Sequence, residues 1–264
     1  MNVLKPEYQL ETFFEKVAGA QKRALLLDYD GTLAPFTPNR NEALPYPGVK
    51  EILQKLVDSG PTRVILITGR WIRDLVELLD LERLPEIWGS HGWEKLTPDG
   101  RYEIGRLEEG PLQGLAEADE WIESEGLAAR AEPKPASLAI HWRGLQPREI
   151  EQLRRKIEDR LSPLAKRRGL NLHEFDGGIE LRIPGRDKGY AVTTVLDEMG
   201  KDTAAAYLGD DYTDEDAFVA IRRRGLSVLV RKEFRPTEAD IWLVPPEELL
   251  DFLKRWLQAT SPDH

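Results

Sequence analysis

Asp28 and Asp30 stand two positions apart in Asp28-Tyr29-Asp30-Gly31-Thr32, directly after the apolar run Ala24-Leu25-Leu26-Leu27. That run is short and uninterrupted, the pattern of a strand buried on both faces. On an extended chain, residues two apart point to the same side, so the two carboxylates form a pair. Gly31 then lets the backbone turn sharply. Such a pair at the carboxyl end of a strand can bind Mg²⁺, and one member can attack phosphorus. Open α/β sheets hold their ligands at this rim.

Three further groups belong with the pair. Thr68-Gly69-Arg70 lies just past the apolar run Arg63-Val64-Ile65-Leu66-Ile67. Lys188-Gly189 opens a helix, and Gly209-Asp210-Asp211-Tyr212-Thr213-Asp214-Glu215-Asp216 follows Ala204-Ala205-Ala206-Tyr207-Leu208. Each residue type suits a role in phosphoryl transfer. Asp28 would be the nucleophile and form an aspartyl-phosphate. Asp30 would protonate the leaving oxygen and then deprotonate the attacking water. Mg²⁺ would screen Asp28, Asp210 and the phosphate from one another. Thr68 offers a hydroxyl to phosphate oxygens, and it also suits a helix amino-cap. Lys188 is a compact cation for the nucleophile and the phosphate. Asp214 is expected to orient Lys188 or a metal-bound water.

The elements that must position these residues read as an α/β alternation. Residues 47–59 form an amphipathic helix with Pro47 in its first turn and Val49, Ile52, Leu53 and Leu56 on one face; Gly60-Pro61 stops it. A strand at 63–67, a helix over roughly 70–79 and a short strand at Ile87-Trp88-Gly89 follow, which implies a parallel sheet with right-handed crossovers. After about residue 106 the rhythm changes. Residues 108–126 read as an acidic helix, 136–142 as a strand, and 147–168 as a helix that Pro163 should kink or interrupt. Residues 171–183 read as two strands joined at Asp176-Gly177-Gly178. Buried strands then resume at 204–208 and 226–230, and a helix over 246–258 closes the chain. The expected organisation is an α/β core, residues 1–106 and 184–264, interrupted by an inserted α+β domain at 107–183.

Composition removes several classes of function. The chain has 264 residues, 41% of them hydrophobic, which suffices for one large or two modest domains. A formal charge of -10 excludes a global basic footprint for nucleic acid. The absence of cysteine excludes disulfides, thiolate catalysis and cysteine-based zinc sites. No apolar run approaches the roughly 18 residues needed to span a membrane, and the amino terminus lacks a signal peptide's apolar core. A cytoplasmic protein with no membrane partner is expected. The triplet Arg222-Arg223-Arg224 reads as a solvated helix end.

The four motifs, in this order and at these separations, resemble the haloacid dehalogenase (HAD) superfamily of phosphohydrolases. The resemblance implies an HAD-like Rossmannoid core with a C2-type cap inserted between the second and third motifs. It implies Mg²⁺ held by Asp28, the backbone carbonyl of Asp30, and Asp210, with Asp211 and Asp214 in support. An acid at Asp30 marks the phosphatase branch.

Further segments look like those of trehalose-6-phosphate phosphatases: Gly89-Ser90-His91-Gly92-Trp93-Glu94, Glu132-Pro133-Lys134, His141-Trp142-Arg143 and Glu180-Leu181-Arg182-Ile183-Pro184. The resemblance implies hydrolysis of trehalose 6-phosphate in trehalose biosynthesis, with Arg70, His91, Glu94, Lys134, His141, Arg143 and Glu180 as substrate contacts. Pro133 and Pro135 around Lys134 depart from that family's less constrained segment. No glycosyltransferase segment precedes the phosphatase motifs, so the chain is expected to act on a delivered sugar phosphate, functionally coupled to a trehalose-6-phosphate synthase. Two other readings stay open. One is a phosphatase for another glycosyl phosphate, such as glucosyl- or mannosyl-3-phosphoglycerate or sucrose 6-phosphate. The other is a catalytically silent regulatory partner in a trehalose-synthesis complex, against which the full set of catalytic side chains argues.

Overall fold

The computed structural model describes residues 1–6, 8–37, 40–175 and 177–261. The chain divides into two compact units, Met1–Glu103 with Asp187–His264, and Ile104–Arg186. In chain order the elements are β1 (Asn2–Val3), α1 (Leu10–Gly19), β2 (Lys22–Leu27), α2 (Val49–Ser59), β3 (Arg63–Ile67), α3 (Ile72–Leu79), β4 (Glu86–Gly89), β5 (Glu94–Leu96), β6 (Tyr102–Ile104), α4 (Glu109–Ser124), β7 (Ala131–Lys134), β8 (Ser137–His141), α5 (Pro147–Arg168), β9 (Asn171–Phe175), β10 (Gly178–Arg182), α6 (Lys188–Met199), β11 (Thr203–Gly209), α7 (Glu215–Ile221), β12 (Leu226–Val230), β13 (Ile241–Leu243) and α8 (Glu247–Thr260). No described helix is long and apolar enough to cross a membrane.

The first unit is built on a sheet of order β1-β13-β12-β11-β2-β3-β4-β5-β6. The strands from β13 to β4 are parallel. Strands β1 and β5 run antiparallel to β13 and β4. Both faces are covered, which explains the uninterrupted apolar runs. Leu25, Leu27, Val64, Leu66 and Leu208 face a core completed by residues of α1, α2, α3 and α8. Ala24, Leu26, Ile65, Ile67 and Tyr207 face the other way, onto Ala191, Val192, Val195, Phe218 and Ile221 of α6 and α7.

Strand order fixes where chemistry can sit. From β2 the chain steps through β3 to β4 in one direction, and from β11 through β12 to β13 in the other. The reversal falls between β2 and β11, which pair over Thr203–Leu208. At such a switch point the crossovers diverge and leave a crevice past the strands' carboxyl ends. Asp28 and Asp210 are the residues just past those ends.

The second unit packs α4 and α5 against a sheet of order β7-β8-β10-β9. Its pairings are antiparallel. Side chains alternate across it. Leu138, Ile140, Ile179 and Leu181 lie on one face and are buried, as are Ala118, Ile122, Ile157 and Leu161 of the helices. Glu132, Lys134, Ser137, His141, Glu180, Arg182 and His173 share the opposite face, since the register sets Glu132 and Glu180 opposite Ala139, Lys134 and Arg182 opposite Ser137, and His173 opposite Glu180.

Several local expectations are revised. Helix α2 starts at Val49 after Gly48, whose φ of 90° is left-handed, so Pro47 lies outside its first turn. Pro163 does not interrupt α5, which runs unbroken to Gly169. An interior proline costs roughly 3 kcal/mol in a helix. Here Ile157, Leu161, Leu164 and Ala165, all buried, carry the packing stripe across it, and a Gln146–Glu149 capping box secures the start. The hairpin signal spans β9 to β10 with Gly178 opposite Phe175; Asp176, its first residue, lies outside the described residues. Pro133 falls on β7, an edge strand, the place in a sheet where proline is tolerated.

Candidate active site

Asp28 leaves β2 with its amide donating to Leu208 O of β11 at 2.8 Å. The residue is 3% exposed. Lys188, the first residue of α6, donates from Nζ to Asp28 Oδ1 at 2.7 Å, and Thr32 Oγ1 donates to Oδ2 at 3.2 Å. The same Nζ lies 2.7 Å from Asp214 Oδ1. Asp28, Asp210 and Asp214 bring ligand atoms within 4.8 Å of one another. Burial pushes the Asp28 carboxyl up to about 7 against the attraction of Lys188, with Asp214 and Asp30 adding to the rise. Lys188 is buried too, yet Asp214 and Asp28 hold it firmly protonated. The two directions agree once the cluster is counted: one ammonium faces several carboxylates, so it stays charged and they do not all do so cheaply.

Asp210 and Asp214 belong to one acidic segment but have opposite surroundings. Asp214 is saturated. Its Oδ1 accepts from Lys188 and the Tyr207 hydroxyl, and its Oδ2 accepts from the amides of Asp210 at 3.1 Å and Asp211 at 3.0 Å. Burial and the nearby carboxylates keep the Tyr207 phenol protonated, so it remains a donor. Asp210 is 1% exposed, and neither of its carboxylate oxygens has a hydrogen-bond partner among the described residues. Among the described residues, Arg231 Nη1 lies 3.9 Å from Oδ2. Burial, reinforced by Asp28, Asp214 and Asp211, pushes the Asp210 carboxyl well above its ordinary range. A buried carboxylate is costly unless it is paired or coordinates a metal. The donor set therefore fits a hard divalent cation at Asp28 and Asp210, with the Asp30 carbonyl as the expected third protein ligand.

Gly31 makes that approach feasible. Its φ is +80°, and an added Cβ would fall 2.2 Å from Asp210 Oδ2. The residue is glycine because the backbone is left-handed there and because Asp210 occupies the space a side chain would need.

Thr68 and Arg70 follow β3. Thr68 Oγ1 accepts from the amide of Arg70 at 3.1 Å, the turn-capping arrangement that threonine favours. Thr68 and Arg70 are tied to the segment after β4: His91 N donates to Thr68 O at 3.0 Å and Ser90 N to Arg70 O at 2.8 Å. Arg70, expected among the substrate contacts, forms a bidentate pair with Asp30, Nε to Oδ2 and Nη2 to Oδ1, both at 2.6 Å. A fork-to-carboxylate pair uses Arg70's planar geometry fully, and the ring of Tyr29 lies under its guanidinium at 5.6 Å.

His91 adopts φ 55°, ψ 37°, a left-handed conformation that lays its ring over Gly69. Glu94, also expected to meet substrate, is fully buried and engaged. It accepts from the Ser90 hydroxyl and from Tyr102 OH at 2.8 Å. Burial raises its carboxyl, opposed by Ser90, Tyr102 and the Ile72 amide. In this arrangement Glu94 braces the turn that carries His91.

The polar sheet face of the second unit gathers the other candidates. Lys134 Nζ donates to Glu180 Oε1 at 2.8 Å and lies 3.9 Å from Glu132 Oε1. Ser137 Oγ also donates to Glu180 Oε1 at 2.7 Å, and Arg182 Nε donates to Oε2 at 2.7 Å. His141 Nε2 lies 2.9 Å from Glu132 Oε2. Burial and Arg182 lower the pKa of His173. Arg143 stands apart, beyond β8, with its side chain over Gly177.

Sequence reasoning passed over several participants. Thr32 was legible as part of Asp28-x-x-x-Thr32. Tyr207 sits inside an apolar strand and reads as core. Arg231 and Arg235 lie between β12 and β13 with no motif around them. Arg182 and Ser137 are recoverable from strand alternation once Glu180 is chosen.

A model of the trehalose-phosphatase family matches residues 26–241. The chain belongs to the trehalose-phosphatase family. A trehalose-phosphate phosphatase of Mycobacterium leprae is 29% identical over 92% of this chain and 59% of its own length. An uncharacterised glycosyl hydrolase of Mycobacterium tuberculosis is 30% identical over 84% of this chain but only 17% of its own length. The chain thus spans between about a sixth and three fifths of these curated relatives. The C-terminal domain of Candida albicans trehalose-6-phosphate phosphatase matches with TM-score 0.79 and 20% identity, over 98% of this chain and 99% of that one. A haloacid dehalogenase-like hydrolase from B. subtilis matches with TM-score 0.61 and 14% identity, over 88% and 99%. The fold is that of the HAD-like phosphatases.

Proposed function

We propose that this chain hydrolyses trehalose 6-phosphate to trehalose and phosphate, with Asp28 as nucleophile, and that it does so with Mg²⁺. The observation that carries the reading is the pairing of Asp28 with Asp210. One buried carboxylate is aligned by Lys188 and Thr32, and the other is buried beside it with both oxygens open.

Asp28, Asp210 and the Asp30 carbonyl would hold Mg²⁺, which supplies charge neutralisation where carboxylates and a phosphoryl group converge. The chain's own residues do the rest. Asp28 attacks phosphorus and the ester oxygen departs, leaving an aspartyl-phosphate; water then attacks that phosphorus and regenerates the carboxylate. Lys188 offsets the negative charge that accumulates at Asp28. Thr68, next to its own backbone amides, is the hydroxyl for a phosphate oxygen. Asp30 must give a proton to the leaving oxygen and later take one from water. In the structure both of its oxygens accept from Arg70. Arg70 on this reading sets the resting position of the acid–base residue.

Sugar selection is assigned to the polar face of the second unit. Lys134, Ser137 and Arg182 hold Glu180, and His141 meets Glu132. Carboxylates and cations fixed this way can form paired hydrogen bonds with sugar hydroxyls, and an analogue that leaves them unpaired is penalised. The family membership supports trehalose 6-phosphate over a glycosyl phosphoglycerate. Phosphate release should be measured with Mg²⁺ for trehalose 6-phosphate, sucrose 6-phosphate, glucosyl- and mannosyl-3-phosphoglycerate, glucose 6-phosphate and p-nitrophenyl phosphate, alongside Asp28→Asn. The highest kcat/KM is expected for trehalose 6-phosphate, with turnover abolished by the substitution. Preference for a phosphoglycerate would overturn the substrate, and full turnover by Asp28→Asn would overturn the nucleophile.

A further inference from the structure

We infer that Arg235 is a positioning residue that fixes Asp210 for metal binding. The inference rests on the reading of Asp210 as a Mg²⁺ ligand. An unpaired buried carboxylate tends to rotate or shift toward any available donor, so its main chain must be held. The Asp210 amide is held by Asp214 Oδ2. Its carbonyl is held from the other side by Arg235, whose Nε and Nη2 donate to Asp210 O at 3.3 and 3.2 Å.

The rest of the guanidinium is equally committed. Nη2 also donates to Asp211 O at 2.7 Å, and Nη1 donates to Pro236 O at 2.9 Å and to Glu215 Oε1. Arginine has five N–H donors in a rigid fork, and each has an acceptor here. Glu215, at the start of α7, anchors the surrounding segment as well, accepting from Thr237 Oγ1 at 2.8 Å and from Glu238 N at 2.7 Å. The ring of Tyr212 lies 4.7 Å from the guanidinium, and the side chain is 7% exposed. Arg231 adds a weaker hold, Nη1 to Asp210 O at 3.5 Å. The backbone at the metal ligand is thereby gripped between Asp214 on one side and Arg235 on the other.

Charge and geometry predict opposite signs. A cation hydrogen-bonded to a ligand's own carbonyl repels Mg²⁺, so a purely electrostatic role means that removing it tightens Mg²⁺. A positioning role means that removing it weakens Mg²⁺, and that lysine, which keeps the charge without the fork, does not rescue.

The test is calorimetric titration of the EDTA-stripped full chain with Mg²⁺ alone, for the unaltered protein, Arg235→Gln, Arg235→Lys and Asp210→Asn. Both Arg235 variants are expected to bind about 10–100-fold more weakly, the usual effect of losing a group that supports a ligand. Tighter binding by Arg235→Gln, or unaltered affinity in Arg235→Lys, would overturn the inference. So would a lowered melting temperature with unchanged Mg²⁺ affinity. If Arg235→Gln does not fold, Arg235→Lys, matched in charge and length, carries the test. An unaltered protein that binds no Mg²⁺ overturns the metal reading itself. Binding that Asp210→Asn removes and both Arg235 variants keep overturns this inference alone.

Discussion

Replacing Lys188 with methionine removes the only cation hydrogen-bonded to Asp28 among the described residues and keeps the side chain's length. Its Nζ sits 2.7 Å from both Asp28 Oδ1 and Asp214 Oδ1, and it is 3% exposed. Deleting one partner of a buried pair costs about 3–5 kcal/mol, because an uncompensated charge stays behind. At roughly 2–4 °C per kcal/mol for a domain of this size, the metal-free variant should melt about 6–20 °C lower.

The deficit should also depend on pH with a definite sign. The Asp28 carboxyl, pushed up to about 7 by burial, binds a proton in the native state that the unfolded chain has lost above its ordinary 3.8. Native protein thus holds more protons than unfolded protein across that window, and metal-free stability falls as pH rises through it. Without Lys188 the carboxyl rises further, so the variant's deficit should be larger near pH 7.5 than near pH 5, by about 0.7 kcal/mol from this group. Mg²⁺, which replaces the lost positive charge, should recover part of it at the higher pH. Circular dichroism melts at the two pH values, with EDTA and with Mg²⁺, read all of this. A deficit of equal size at both pH values, indifferent to Mg²⁺, would refute the account of Lys188 as counter-charge to the carboxylates.

Asp210→Asn should melt higher than the unaltered protein in EDTA at pH 7.5, because it neutralises a buried carboxylate without partners, and should gain nothing from Mg²⁺; a Mg²⁺-dependent rise in that variant would remove Asp210 from the ligand set. Gly31→Ala must place a Cβ where Asp210 Oδ2 now lies, 2.2 Å away. Its left-handed backbone adds about 1–2 kcal/mol of strain, and Mg²⁺ affinity measured calorimetrically should fall at least as far as in the Arg235 variants. Glu180→Gln should lower kcat/KM for trehalose 6-phosphate by about 10–100-fold, the worth of a hydrogen bond to a charged group, while p-nitrophenyl phosphate turnover stays unchanged. Equal losses on both substrates would place Glu180's role in folding instead.

The core strands were legible because they are buried on both faces. The sequence reading of 63–67 and 226–230 coincides with β3 and β12, and Asp28, Thr68 and Asp210 were placed past strand ends by the same reasoning. Short edge elements were not legible. Strands β1, β5, β6 and β13 are two or three residues long, too short to display a period, and β7 was hidden by Pro133, whose tolerance depends on edge position alone. Helix α1 carries acids among apolar residues, and only its packing on α8 gives it a reason to form. Pro163 misled because a local penalty was set against packing that spans both sides of it. Arg70 and Glu94 carry the right residue types for sugar contact. Their partners in the structure, Asp30 forty positions earlier and Tyr102 eight positions later, are set by the fold and carry no local signal.

The acidic segment shows where sequence stops discriminating. Asp210 and Asp214 are the same residue, four positions apart, and both fall within reach of Asp28. Motif position alone leaves either able to meet a metal. What separates them is supply of donors. Asp214 takes the Tyr207 hydroxyl from β11, the Lys188 ammonium from α6 and two amides of its own turn, so its lone pairs are filled. A filled carboxylate braces the site and keeps Lys188 charged. Asp210 makes its hydrogen bonds through its backbone, its carbonyl accepting from Arg235 and its amide donating to Asp214, and its side chain is left open. Ligand and brace are thus assigned by residues remote in sequence, each unremarkable alone. A carboxylate kept buried, immobile and unpaired costs the metal-free fold stability, and on the proposed reading a divalent ion with oxygen preference would offset that cost.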